Sequence, residues 1–324
     1  MAKLICGVDV SSLSLDASIG HQEGSSRTFP NTPEGIAELA AFCEASQVEL
    51  VAMEASGGYE KQPFRQLWAS GLPVAICNAR AVRRFAEAMG LLEKTDRIDA
   101  RVIAWYADAK RIAARPPQSA EQEHLRALVT RLRQLTQVQT AQRQQKRLVT
   151  DPAILHSFTQ ILAFLADQIR QLQTEIAGLI SLDPLWRSLD QSLRSVKGVA
   201  DRTVATLMAE LPELGAIPNK AISKLVGLAP LADDSGKHRG KRSIRGGRTT
   251  IRHLLFLIAT VVRRFNPDFA AFSQRLSAAG KPKKVIVVAL AHKLLVRLNA
   301  KARDARRQLA LPGDSPSVAS QLAS

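Results

Sequence analysis

The 324-residue sequence predicts an α/β unit followed by a helical one, and three observations point there. Runs rich in β-formers are confined to the first quarter of the chain. After residue 119 the chain becomes long helix-forming stretches rich in Ala, Leu, Gln and Arg. Hydrophobic residues make up 46% of the chain and aromatics only 5%, which suits helices packed through aliphatic side chains.

The elements follow in order. Residues 3–10 (KLICGVDV) read as a strand, and 14–20 and 25–30 as two more, joined by a polar turn. Thr32-Pro33-Glu34 opens a helix, with Thr32 as N-cap and Pro33 at the first helical position. Its apolar residues Ile36, Leu39, Ala40 and Cys43 keep helical spacing. Residues 48–54 form a fourth strand, Gly57-Gly58 a break before another helix, and 72–77 a fifth strand. Residues 79–112 are helical with an interruption near 90–94. A three-strand meander followed by alternating β and α is the order of the RNase H-like fold.

Arg115-Pro116-Pro117 ends this domain. Two amphipathic helical runs follow, 119–149 and about 153–181, separated by Asp151-Pro152. Leu125, Leu128, Leu132 and Leu135 in the first, and Ile161, Leu165, Ile169, Leu172 and Ile176 in the second, repeat at three and four. Such a pair makes either a packed intramolecular hairpin or a dimerising coiled coil. Asp183-Pro184 starts an all-helical stretch to about 308, broken by a polar loop between Pro230 and Gly247. The expected divisions are 1–115, 116–183, 184–310 and a disordered tail over 311–324.

A net charge of +16 implies a polyanionic partner, and nucleic acid is the usual one. No basic amphipathic terminus, lipidation signal or signal peptide favours a membrane, and the apolar run Leu254 to Val262 is too short to span one. The expectation is a soluble cytoplasmic protein. Cys6, Cys43 and Cys77 lack zinc spacing and read as small core residues in a reducing compartment.

Four acids stand out. Asp9 lies between Val8 and Val10 in the first strand, where a carboxylate is costly unless paired or bound to a cation. Glu54 ends the fourth strand. Asp96 and Asp99, at i and i+3 in Thr95–Ala100, share one helix face, about 5–6 Å apart at Cβ. Oxygen ligands from separate elements suit Mg²⁺, and a pair of such ions can stabilise both oxygens of a phosphodiester displacement. The plain alternatives are a helix cap for Glu54 or Asp96 and a surface role for Asp99. Asp16, Glu60 and Glu93 fit the cluster less well.

From Ser235 to Arg264 the chain carries nine Lys and Arg and no acid. Lys237, Arg239, Lys241, Arg242, Arg245, Arg248 and Arg252 are the candidate nucleic-acid contacts, since the interleaved glycines let backbone approach phosphates. Ser235 opens this stretch, and arginines around a serine can stabilise its attack on phosphorus. His238 and His253 come with no nucleophile elbow. The turn Val196-Lys197-Gly198-Val199 reads either as a helix-hairpin-helix phosphate contact or as plain helix packing.

Together these residues resemble the DEDD-type insertion-sequence transposases, the family of the Piv-like DNA invertases and the bridge-RNA-guided serine recombinases. Gly7-Val8-Asp9-Val10-Ser11, Met53–Tyr59 and Lys94–Ala100 are similar to its RuvC-like carboxylate motifs. Gly227-Leu228-Ala229-Pro230, Ser235-Gly236, Arg239-Gly240 and Gly247 to Arg252 are similar to its transposase domain. The resemblance implies that Asp9, Glu54, Asp96 and Asp99 bind Mg²⁺ and that Ser235 joins covalently to DNA. It further implies a coiled-coil dimer assembling to a tetramer, and a noncoding guide RNA that selects DNA by base pairing. Some relatives carry a tyrosine or basic residues before the serine, where this chain has Asp233 and Asp234.

The sequence thus predicts a DNA transposase or recombinase exchanging strands through a phosphoserine. The alternatives are a Holliday-junction-type metal nuclease using water and a non-catalytic nucleic-acid scaffold. Salt-sensitive DNA binding is expected of all three.

Overall fold

The computed structural model describes residues 4–20, 26–91, 96–235, 238–240 and 242–310, and its chain divides into two compact units, Met1–Ser119 and Ala120–Ser324. The tail over 311–324 lies outside the described residues.

The first unit is a five-stranded mixed sheet between two helical layers. Its strands are β1 (Ile5–Val10), β2 (Ser14–Ile19), β3 (Ser26–Pro30), β4 (Leu50–Glu54) and β5 (Val74–Cys77). They lie in the order β3-β2-β1-β4-β5. The first three pair antiparallel, whereas β4 runs parallel to both β1 and β5. Parallel strands are buried on both faces, which is why β4 reads as a continuous apolar run. On one face Cys6, Val8, Val51, Met53 and Val74 pack beneath α1 (Pro33–Ala45) and α2 (Lys61–Ala69). On the other, Ile5, Leu50, Ala52, Ala75 and Cys77 meet α3 (Ala79–Ala88) and α4 (Asp96–Lys110). Thr32 caps α1 as its sequence predicts, its hydroxyl accepting from the Gly35 amide at 3.3 Å. All three cysteines are buried and unbridged.

The second unit holds α5 (Ala120–Lys146), α6 (Pro152–Leu182), α7 (Pro184–Arg194), α8 (Asp201–Glu210), α9 (Asn219–Val226), α10 (Thr249–Phe265), α11 (Pro267–Ala278) and α12 (Lys283–Ala310). Three of these helices start the same way. Asp151, Asp183 and Asn266 each cap the next helix through a side-chain oxygen, with proline directly after. Helices α5 and α6 pack on each other. Leu125, Leu128, Leu132, Ile176 and Ile180 from this hairpin enter one core with residues of α7–α12.

Two expectations need correction. Ile161 is 43% exposed and not part of the packed stripe, and nearby Phe164 is 63% exposed. The stretch between Pro230 and Gly247 is not a bare loop. It forms a ribbon of β6 (Asp234–Ser235) and β7 (His238–Arg239), closed by a bridge between Leu231 and Ser243. Strands of two residues are too short for alternation to register, so the sequence shows only polarity and glycine. The turn at Gly198 resolves toward packing: Val196 and Val199 are buried, and a Cβ on Gly198 would stand 3.1 Å from Val262. Among the described residues no helix is long and apolar enough to cross a membrane.

Candidate functional site

Two clusters of candidate residues lie one in each unit. In the first, parallel pairing aligns Val8 with Met53, so the next step along both strands aligns Asp9 with Glu54. Neighbouring strands are about 4.8 Å apart. Side chains alternate along a strand, so Asp9 follows Ile5 and Gly7, and Glu54 follows Leu50 and Ala52, onto the face that α4 covers. Both acids are half-buried. The Cys77 thiol, paired in register with Glu54, is pushed up to about 12 by burial and then by the Glu54 carboxylate.

Gly7 brings α4 down onto this edge. A Cβ there would stand 2.0 Å from the Ala100 carbonyl and 2.5 Å from the Ala104 amide nitrogen, so no other residue fits. Asp96 and Asp99 begin α4, within one turn of that contact, but their side chains lie outside the described residues. Among the described residues no three His, Cys, Asp or Glu gather to hold a metal ion. The donors that are described, two carboxylates on adjacent strands, are the hard oxygen type that a divalent cation takes.

Asp16 pairs in register with Asp9, yet its carboxylate accepts the Thr28 hydroxyl at 2.5 Å and the Ser14 hydroxyl at 3.5 Å. Glu60 has a role that its sequence context alone does not assign. Its Oε2 accepts from the Gly58 amide at 2.7 Å and from the Ser56 amide and hydroxyl at 3.1 Å. Burial pushes this carboxyl up, but the amide and hydroxyl donors outweigh it and hold it below its ordinary value. Glu60 therefore pins the loop that leaves Glu54. The signal that could have found it is a serine and a glycine just before an acid, after a strand.

In the second unit Ser235 is exposed on the ribbon, opposite His238. Its neighbour Asp234 takes Arg242 Nη1 at 2.8 Å on both oxygens, which offsets the acid standing before the serine. The Asp233 carbonyl accepts the Gly240 amide at 3.1 Å, and a Cβ on Gly240 would meet that carbonyl at 2.0 Å. The ribbon is anchored where two glycine turns cross: a Cβ on Gly227 would stand 2.2 Å from the Gly246 carbonyl, and one on Gly247 2.4 Å from the Gly227 nitrogen.

The candidate cations divide. Arg239 and Arg245 are exposed and have no ion pair among the described residues. Arg242 is held by Asp234. Arg248 is clamped by Glu213, at 2.5 and 2.6 Å, and by the Glu210 carbonyl at 2.9 Å. Arg252 donates to the Gly246 carbonyl and, at 3.5 Å, to Thr249. Lys237 and Lys241 lie outside the described residues.

Comparison with known proteins bears on both clusters. A family described as transposase matches residues 6–151, and the transposase IS116/IS110/IS902 family matches 190–274. The chain is similar to the pilin gene-inverting proteins of Moraxella bovis and Moraxella lacunata, 29% identical over 313 residues that cover 91% of this chain and 94% of each relative. It is also 28% identical over 153 residues to an insertion element IS110 protein of 43.6 kDa from Streptomyces coelicolor, covering 47% of this chain and 37% of that one.

Proposed function

We propose, for a chain that belongs to the DEDD-type IS110 transposase family, a DNA recombinase that cuts and rejoins strands through a serine ester. The observation that carries the reading is the parallel register ending at Val8 and Met53, one step before Asp9 and Glu54, on the face to which Gly7 admits α4. The fold of that unit is read as RNase H-like, on the strand order β3-β2-β1-β4-β5. A divalent-metal requirement follows from the DEDD class, and Mg²⁺ is the proposed ion. Asp9, Glu54, Asp96 and Asp99 would hold it. When bound, the metal neutralises charge on the scissile phosphate and orients it.

The proposed nucleophile is Ser235. Its Oγ forms a bond to phosphorus, one P–O bond of the phosphodiester breaks, and the departing oxygen takes a proton to become a free hydroxyl end. The serine proton goes to solvent. Rejoining reverses the step: a hydroxyl end from the partner strand attacks the phosphoserine and releases Ser235. Each ester bond broken is replaced by one formed, so no ATP is needed. Arg239, on the ribbon itself, and Arg245, just after it in the chain, carry exposed charge and suit phosphate oxygens. Arg248 and Arg252 act one step back, by holding the base of the ribbon.

Inversion of DNA is the event named for the Moraxella relatives, and the same cut-and-rejoin chemistry serves inversion, excision and insertion. A guide RNA, and a dimer assembling to a tetramer through the α5–α6 hairpin, complete the proposal on the resemblance of the sequence. The test scores recombined junctions by PCR in cells carrying the gene with its native flanking DNA. Wild type makes junctions, while Asp9→Ala and Ser235→Ala at matched protein levels make none. If Ser235→Ala still recombines and Asp9→Ala does not, a metal nuclease using water replaces this reading.

A further inference from the structure

A groove of about 770 Å³ runs between α5, α8 and the start of α10, wholly within the second unit. Its floor is apolar, formed by the buried Val129, Leu132 and Ala205, and Leu254 and Leu257 line it more openly. Leu257 is 64% exposed, so its side chain is open to a ligand in the groove. The walls are polar and the charge is one-sided. Among the described residues Glu210 is the single acid lining it, and Arg133 neutralises it at 2.9 Å.

Arg202 differs from Arg133. It lines the same groove, is exposed, and has no carboxylate partner among the described residues. An exposed cation without a counter-charge is open to a phosphate. Thr250 adds an exposed hydroxyl, Thr206 a half-buried one that donates to the Arg202 carbonyl at 2.7 Å, and His253 an imidazole. The groove opens at Thr249, directly after Arg248 at the base of the serine ribbon.

From the unpaired Arg202 over an apolar, otherwise neutral groove leading to the ribbon, we infer that this is a seat for one unpaired nucleic-acid strand. Phosphates meet Arg202 and the threonine hydroxyls, and base faces or sugars lie on Leu254 and Leu257. The volume fits two or three nucleotides of a single strand, since ligand sites of roughly 300–1,000 Å³ hold molecules of that order. A duplex, whose base faces are stacked inside, has none to lay on Leu254 and Leu257. The inference rests on the reading that the chain acts on nucleic acid, but not on the chemistry assigned to Ser235.

The experiment measures binding of fluorescent 15-nucleotide single strands, as DNA and as RNA, and of a matched DNA duplex. The full chain is used in EDTA, so that no cleavage intervenes. Arg202→Ala and Thr206→Glu are compared with wild type and with Arg111→Ala, a control in the other unit. Thermal melting of each variant establishes folding. The expected result is at least tenfold weaker single-strand binding for both groove variants, with the salt slope for Arg202→Ala reduced by about 0.7 for each phosphate that is no longer neutralised. Duplex binding changes less than threefold. A benzophenone side chain placed at Leu257 crosslinks the single strand, which gives a second readout without removing any polar group. The DNA and RNA arms identify which strand is seated. If wild type binds the single strands and the groove variants bind them equally well with no crosslink at Leu257, the groove assignment is overturned. If wild type binds no nucleic acid at all, the proposed function fails with it.

Discussion

In the first unit Asp9 and Glu54 sit half-buried on strands packed on both faces, whereas in the second Ser235 stands exposed on a ribbon whose strands are two residues long. The carboxylates are positioned by a core, with Gly7 fixing how closely α4 approaches. The serine is positioned by turns, with Gly227 crossing Gly246-Gly247 and Arg248 clamped to Glu213. A cation site needs fixed ligand geometry and a dry edge, which strands supply. A residue that must meet a large polyanion needs access, which a surface ribbon supplies. The contrast also predicts how each region breaks: changes near the acids act through folding as well as chemistry, and a change at Ser235 itself leaves the fold intact.

The largest expected effect sharpens this contrast. Ser235→Ala lowers recombination at least 10³-fold, on the order expected when a covalent nucleophile is removed, with a melting temperature within a degree or so of wild type. A quantitative junction assay beside differential scanning fluorimetry checks both halves. Next, Gly7→Val destabilises the first unit by roughly 3 kcal/mol or more, because its side chain meets helix backbone that cannot move aside. Urea unfolding monitored by circular dichroism measures it, and a Gly7→Val protein of normal stability would break the account of how α4 is seated.

Arg248→Ala comes third. It removes the two-pronged ion pair to Glu213 and the bond to the Glu210 carbonyl, costing about 2 kcal/mol by denaturant titration. Although Arg248 lies in the basic stretch, its removal acts through stability first, whereas Arg239→Ala leaves stability unchanged and weakens DNA binding alone.

The smallest effect is at Glu60. Its carboxyl is held low in the folded chain, so its contribution is present above the ordinary glutamate range and is lost as pH falls through the folded value. Glu60→Gln is expected to cost about 1 kcal/mol near neutral pH, with the gap to wild type closing in acid. A pH series of melting curves would contradict this if the gap were constant from about pH 7 to about pH 3.

The sequence made the first unit easier to read than the second. The β1 pattern Gly7-Val8-Asp9-Val10 marks an acid inside an apolar strand, and the Thr32-Pro33 and Asp151-Pro152 starts are local signals that the caps repeat. Partners distant in sequence were not legible. Nothing near Arg248 points to Glu213, and nothing near Gly227 points to Gly246. Ile161 keeps the helical spacing of a core residue, yet it lies on a part of α6 where no further helix covers it among the described residues. Spacing tells which residues share a face and leaves open what covers that face. Glu60 escapes a periodicity argument because it binds backbone of its own loop.

The central claim is that Ser235 becomes joined to DNA. The direct measurement incubates wild type with a duplex carrying an element end and Mg²⁺, denatures the mixture, digests it and maps the adducted peptide by mass spectrometry. The account predicts a nucleotide phosphoester on Ser235, absent from Ser235→Ala and from Asp9→Ala. Metal-dependent cleavage with no covalent adduct, or an adduct on another residue, would contradict it.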